Sequence, residues 1–152
     1  MLKKIQKFIK LPTQDKLLFI EAFYTLGMMK RAIDTKPLKD ITKDLHHHKG
    51  YIKHSISNTK DKDLAIHIGD IIQKASRYTP WQSACLAQSL TLIKMFKKRS
   101  IPAMFYLGVY KDTNDMKAHA WSIYGDSILT GKSGHKKFTV VSSIEFIPKE
   151  ES

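Results

Sequence analysis

Cysteine is nearly absent: Cys85 is the only one among 152 residues. That excludes an internal disulfide framework and any Cys-rich zinc centre. A lone thiol suits a reducing compartment. Long apolar runs are absent too. A membrane-spanning helix needs roughly 20 apolar residues, and the best stretch, Leu17 to Met29, is shorter and carries Glu21. The basic start MLKKIQKFIK is not followed by the apolar run and small-residue cleavage site of a signal peptide. The expectation is a cytoplasmic protein with no stable membrane insertion.

Acidic side chains are also scarce, 14 against 26 Lys and Arg, for a net charge of +12. The excess is uneven: residues 1–62 hold 14 basic and 6 acidic side chains, and residues 63–152 hold 12 and 8. A field of this sign attracts nucleic acid, an anionic membrane or an acidic peptide, and it is also what a Lys-rich solvated surface looks like. No zinc-finger spacing, aromatic RNA-binding signature or basic heptad zipper accompanies it, so no nucleic-acid partner is expected. The hydrophobic fraction of 42% is that of a globular chain. The length suits one domain, or one core with a small helical lobe.

Periodicity divides the chain. Residues 1–10 place Leu2, Ile5, Phe8 and Ile9 at helical spacing, and Leu11-Pro12 interrupts them. Thr13 opens TQDKLLFIEAFYTLGMMKRAI, a helix with Asp15 in its first turn and apolar residues on almost every side, which predicts a buried helix. PLKDITKDL reads as a short amphipathic turn or helix, and the polar stretch 46–63 as a mobile connector. Residues 64–76 are helical in pattern. CLAQSLTLIKMF (85–96) carries Leu86, Leu90 and Ile93 on one side, with Lys97, Lys98 and Arg99 suited to a helix C-terminus. Four strand-like segments follow, 103–110, 118–124, 127–130 and 138–147, with a two-residue turn at Gly125-Asp126. The predicted class is α+β: a helical lobe and connector over 1–63, then a core over 64–152 in which a Cys-bearing helix packs on an antiparallel meander.

Two residues stand out chemically. Cys85 heads a helix, where backbone amides and the helix dipole favour the thiolate, the nucleophilic form. His119 lies on a strand between two alanines, sharing a face with Trp121 and Ile123. Each alone reads as an ordinary core residue. Together they give the layout of papain-like and transglutaminase-like cysteine enzymes, with His119 taking the thiol proton and returning it to the leaving amine. The Cys85 amide and Gln82 are the candidate oxyanion donors, and Trp121 a candidate wall of a substrate groove. His46, His47 and His48 point in different directions with no Cys or carboxylate placed to join them, so no metal site is expected.

Residues 80–147 resemble the transglutaminase-like core of lasso-peptide leader peptidases. The resemblance is carried by CLAQSLTLIKMFKKRSIPAMFYLGVY (85–110), KAHAWSIYGDSILTG (117–131) and FTVVSSI (138–144), with LPTQDKLLFIEAFYTLGMMKRAI and KPLKDITKDL extending it into the first half. It implies a cysteine protease that removes the leader from a ribosomally made precursor, with no cofactor. It further implies a split system. A small leader-recognition-element protein presents the precursor leader peptide, and an ATP-dependent lasso cyclase takes the freed core.

The family pattern has a carboxylate on the strand after the histidine. A two-residue hairpin at Gly125-Asp126 puts that position near Gly131, so this chain departs from the pattern. Asp126 is seven residues from His119, roughly 20 Å along an extended strand, at the far end of the hairpin. Asp112, opening the loop before the His119 strand, is the better-placed candidate, and a backbone or amide orienter is the alternative. An acyl-transferring enzyme using the same pair, and a non-catalytic basic scaffold with Cys85 merely packed, are the rival readings. Fast alkylation at neutral pH separates a reactive Cys85 from a buried one.

Overall fold

The computed structural model describes residues 1–54 and 60–149. Its elements are α1 (Leu2–Ile9), α2 (Thr13–Thr35), α3 (Leu38–Ile41), β1 (His46–Lys49), α4 (Lys62–Ser76), α5 (Cys85–Lys98), β2 (Ala103–Asp112), β3 (Asp115–Tyr124), β4 (Ser127–Thr130), a 3₁₀ turn (His135–Lys137) and β5 (Thr139–Phe146). The class is α+β, as the periodicity predicts. The strands form one antiparallel sheet in the order β1-β5-β2-β3-β4.

Two features differ from the expected layout. The last strand does not continue a meander beside β4, but returns to the free edge of β2, pairing Phe105 with Ile144. Antiparallel pairing along β2 satisfies a ten-residue strand on both sides, whereas β4 offers only four residues. The second is β1. The stretch expected to be a mobile connector begins with HHHK paired to β5, His47 opposite Ile144. His46 and His47 stay exposed and His48 is half-buried, yet two of the three are tethered: Nε2 of His47 lies 2.8 Å from Thr42 O, and His48 bonds Glu145 at 2.7 Å. At the other end of the stretch Lys62 and Asp63 already belong to α4, and its residues 55–59 lie outside the described residues.

The sheet has two apolar faces. Alternation along β2 and β3 sends Ala103, Phe105, Ala120 and Tyr124 to an inner face, where α2, α4 and α5 pack with Leu26, Ile68, Ile72, Leu92 and Phe96. Met104, Tyr106, Trp121 and Ile123 go to an outer face covered by Ile52, Phe138 and Val140. Because Ala22, Leu26 and Met29 of α2 belong to the inner core, the segments 1–63 and 64–152 share one apolar interior.

α2 is fastened to the C-terminus of α5 by a two-pronged ion pair. Arg99 Nη1 and Nη2 donate to Glu21 Oε1 (3.0 Å) and Oε2 (2.6 Å). The Arg99 hydrogen bond holds the Glu21 carboxyl below its ordinary 4.5. A depressed carboxyl stabilises the fold above its unfolded value and stops doing so as pH falls through its folded one. Glu21→Gln is expected to cost about 1 kcal/mol at pH 7. The difference from the parent protein should disappear as denaturation is repeated at progressively more acid pH below 4.5.

His54 has the opposite character. It is 6% exposed, faces the Tyr124 ring edge-on at 6.3 Å, and among the described residues neither ring nitrogen has a hydrogen-bond partner. Burial holds it below its ordinary 6.5, opposed by the Glu145 charge. The unfolded chain therefore binds a proton first, and stability falls as pH drops below 6.5 toward the folded value. His54→Phe should remove this loss. In paired urea titrations the variant should gain on the parent between pH 7.5 and pH 5.5, a range that spans about 6.5.

Candidate active site

Cys85 is the first residue of α5. The N-cap is Ala84, no side chain caps the helix, and no acid occupies its first turn. The amides at this end are thus left to an anion or an approaching carbonyl oxygen. The turn before it is held by Thr79, whose Oγ1 lies near Ser76 O (3.0 Å), Trp81 O (2.9 Å) and Ser83 Oγ (2.8 Å). Gln88 Nε2 donates back to Ser83 O at 3.0 Å. Trp81 lies on α2 where Gly27 has no side chain, since a Cβ there would meet the indole at 3.0 Å. Cys85 is half-buried against the inner core, and Gln82 is exposed just before it.

α5 runs alongside β3 in the same direction. Ser89 Oγ is 3.4 Å from Thr130 Oγ1, which bonds Ser122 Oγ at 2.5 Å. Farther along, Phe96 meets Tyr124 edge-on at 6.3 Å. Cys85 is about one turn before Ser89 on the same side of the helix, about 6 Å back along the axis. It therefore lies toward the end of the sheet that carries His119.

His119 is opposite Gly108 on β2. Its ring stacks on Trp121 (5.8 Å, 25° between planes) and tilts against Phe138 (5.1 Å). Gly108 makes this possible, because a Cβ at that position would come within 2.8 Å of both the Trp121 ring and Phe138. Nε2 is 2.7 Å from Gly131 O. A carbonyl can only accept, so Nε2 carries the proton in neutral imidazole and Nδ1 keeps its lone pair.

Thr130 and Gly131 tie the two halves together. The Thr130 hydroxyl reaches the Cys-bearing helix, and the next residue's carbonyl orients His119. Gly131 has φ +74, and a Cβ on it would collide with Ala120 O and stand 3.0 Å from Trp121 Cα. The position where the family pattern has a carboxylate is filled here by a main-chain oxygen.

The sequence-derived candidates are distributed unevenly. Cys85 and His119 come to the same end of β3, but from its two sides: α5 packs over the inner face, and His119 shares the outer face with Trp121. Among the described residues no hydrogen bond joins the thiol to the imidazole. Asp112 is not brought to His119. It is opposite Asp115, 3.6 Å from Lys117 Nζ, and four strand residues separate Asp115 from His119, about 13 Å. Asp126 lies in the turn at the other end of β3. Trp121 is 5% exposed, so it serves as a floor under the imidazole rather than an open groove wall. Sequence reasoning missed the Ser89–Thr130–Ser122 hydroxyl chain, although Ser89 lies in the CLAQSLTLIKMF segment singled out for Cys85.

Among the described residues no group of histidines, cysteines and acids is arranged to hold a metal ion. No helix is long and apolar enough to cross a membrane. Comparison with known proteins gives no match among curated proteins and none among solved structures. Residues 46–143 match the family model of the transglutaminase-like superfamily, which includes cysteine peptidases. This segment contains β1 through most of β5, with both Cys85 and His119, and is well over half of the chain. The chain belongs to the transglutaminase-like superfamily.

Proposed function

We propose that this protein is a cytoplasmic cysteine peptidase that removes the leader from a lasso-peptide precursor. A separate leader-recognition protein delivers the precursor, and an ATP-dependent cyclase consumes the freed core. The lasso assignment is supported by the ordered motifs at 85–110, 117–131 and 138–144. The peptidase chemistry is supported chiefly by one observation: His119 Nε2 is committed to Gly131 O at 2.7 Å, which leaves Nδ1 as the base, at the end of the sheet toward which the Cys85 helix terminus points.

In the proposed reaction His119 Nδ1 accepts the Cys85 proton as Sγ attacks the scissile carbonyl carbon. The Cys85 amide and exposed Gln82 receive the developing oxyanion. The tetrahedral intermediate collapses to a thioester as the imidazolium protonates the leaving amine. Water, deprotonated by His119, then attacks the thioester, and the thiol is regenerated. The resting separation of the two side chains has to close first. β4 pairs with β3 only from Ser122 onward, so among the described residues no strand ladder covers this edge of β3 beside His119, and the imidazole turns toward the helix end by releasing Gly131 O. Catalytic hydrogen bonds commonly tighten only with substrate bound.

The test is incubation of precursor and recognition protein with the parent chain or Cys85→Ala, followed by mass spectrometry. Two fragments whose masses include one added water, formed only by the parent, support the reading. Cleavage by Cys85→Ala overturns it, and a new amide in place of the free carboxylate assigns acyl transfer instead.

A further inference from the structure

We propose that α1 and the first half of α2 form a surface that adheres to anionic phospholipid membranes. The inference goes beyond the peptidase reading and rests on none of its residues.

Among the described residues, seven of the thirteen large apolar side chains that the fold leaves exposed lie within the first 24 residues. Leu2, Ile5 and Ile9 recur at i, i+3 and i+7 on one side of α1, and Leu17, Ile20 and Tyr24 repeat that spacing on α2. α1 buries no residue fully and touches the body through Phe8, whose ring lies 5.5 Å from Phe19. Exposed apolar surface concentrated in this way marks an interaction site rather than ordinary scatter.

The charge of the same region selects the partner. Lys3, Lys4, Lys7, Lys10 and Lys16 face only two acids, and both of these are engaged: Asp15 with His67 at 2.7 Å and Glu21 with Arg99. Between α1, α2 and α4 runs an apolar trough of about 620 Å³ floored by Phe8, Phe19 and Ile71. Its rim carries Lys4, Lys7, Lys10, Lys74 and Arg77, and no acid. Apolar side chains beside a lysine-rich face are the pattern of a helix lying in a headgroup layer, with acyl chains below and anionic headgroups at the lysines. An acidic peptide satisfies the same charge and would lie in the trough, but the trough's lining includes neither Leu2 nor Ile9. Leu2 and Ile9, 77% and 61% exposed, protrude instead.

Purified full-length protein should co-sediment with vesicles of equimolar phosphatidylglycerol and phosphatidylcholine, at least about tenfold more than with phosphatidylcholine alone, and less as salt rises. Ile5→Ser combined with Ile9→Ser, and separately Lys3→Gln with Lys7→Gln, should each reduce binding about tenfold. Both should keep the parent's circular dichroism and melting temperature, since these side chains are not buried. Absence of binding to anionic vesicles overturns the proposal, as does parent-level binding by both double variants. Tighter capture of a soluble apolar-acidic peptide than of vesicles, lost in the same variants, reassigns the surface to a peptide. Cleavage of a soluble precursor by these variants should match the parent, so the result stands apart from the test at Cys85.

Discussion

Gly131→Asp is expected to destabilise the protein instead of completing a triad. The substitution appears conservative with respect to the family pattern, because it puts a carboxylate where that pattern has one. The local backbone refuses it. Gly131 sits at φ +74, a region that side chains with a Cβ adopt only under strain, and its Cβ would collide with Ala120 O and crowd Trp121. Strain and overpacking together should cost about 3 kcal/mol or more, and lower the melting temperature of a chain this size by about 10 °C. The carbonyl that orients His119 would move with the backbone, so cleavage should fall as well. Gly131→Ala, which adds the Cβ without the charge, should lose nearly as much stability, and that identifies the clash as the cause. Thermal unfolding of both variants, followed by a cleavage assay on whatever stays folded, is the measurement. An aspartate variant that melts with the parent and cleaves faster would refute the account.

The same glycine shows where the sequence was readable and where it was not. The hairpin turn at Gly125-Asp126 is a local signal, and counting outward from it leads to residue 131 opposite His119. Nothing local says that the residue there approaches another strand too closely for a Cβ, since that depends on how β4 ends. Helical periodicity gave the extents of α2, α4 and α5 nearly residue for residue. The buried helix expected for α2, however, is buried only along Ala22, Thr25, Leu26 and Met29, because among the described residues no element packs over Leu17, Ile20 and Tyr24, which stay exposed. β1 escaped notice for a different reason. HHHK has neither alternation nor β-branched residues, and becomes a strand only because β5, almost a hundred residues later, presents an unpaired edge. The period of two also placed His119, Trp121 and Ile123 on one face. Which face α5 would cover is a matter of packing, and it turned out to be the other one. That is why the two candidate residues were legible as a pair while their approach from opposite sides of β3 was not.

Loss of either member of that pair should be nearly complete and not additive. With Cys85→Ala there is no sulfur to form the thioester, and with His119→Ala no group takes the thiol proton or returns it to the amine. General acid–base assistance is worth about 10²–10⁴ in rate, and a nucleophile and its base, acting as a unit, cost about as much singly as together. Each single variant should therefore cleave at least about 10³-fold more slowly than the parent, and the double variant hardly more slowly than either. Stability should separate the two. Cys85 is half-buried at a helix terminus, so its truncation should shift the melting temperature only slightly. His119 is packed on Trp121 and Phe138 and bonded to Gly131, so His119→Ala should lower it measurably. His119→Gln supplies the control: its side-chain amide can still donate toward Gly131 O and restore part of the stability, but it has no Nδ1 lone pair and should restore no cleavage. Recovery of activity with glutamine would mean that residue 119 acts by holding the β3–β4 edge together and not by moving a proton.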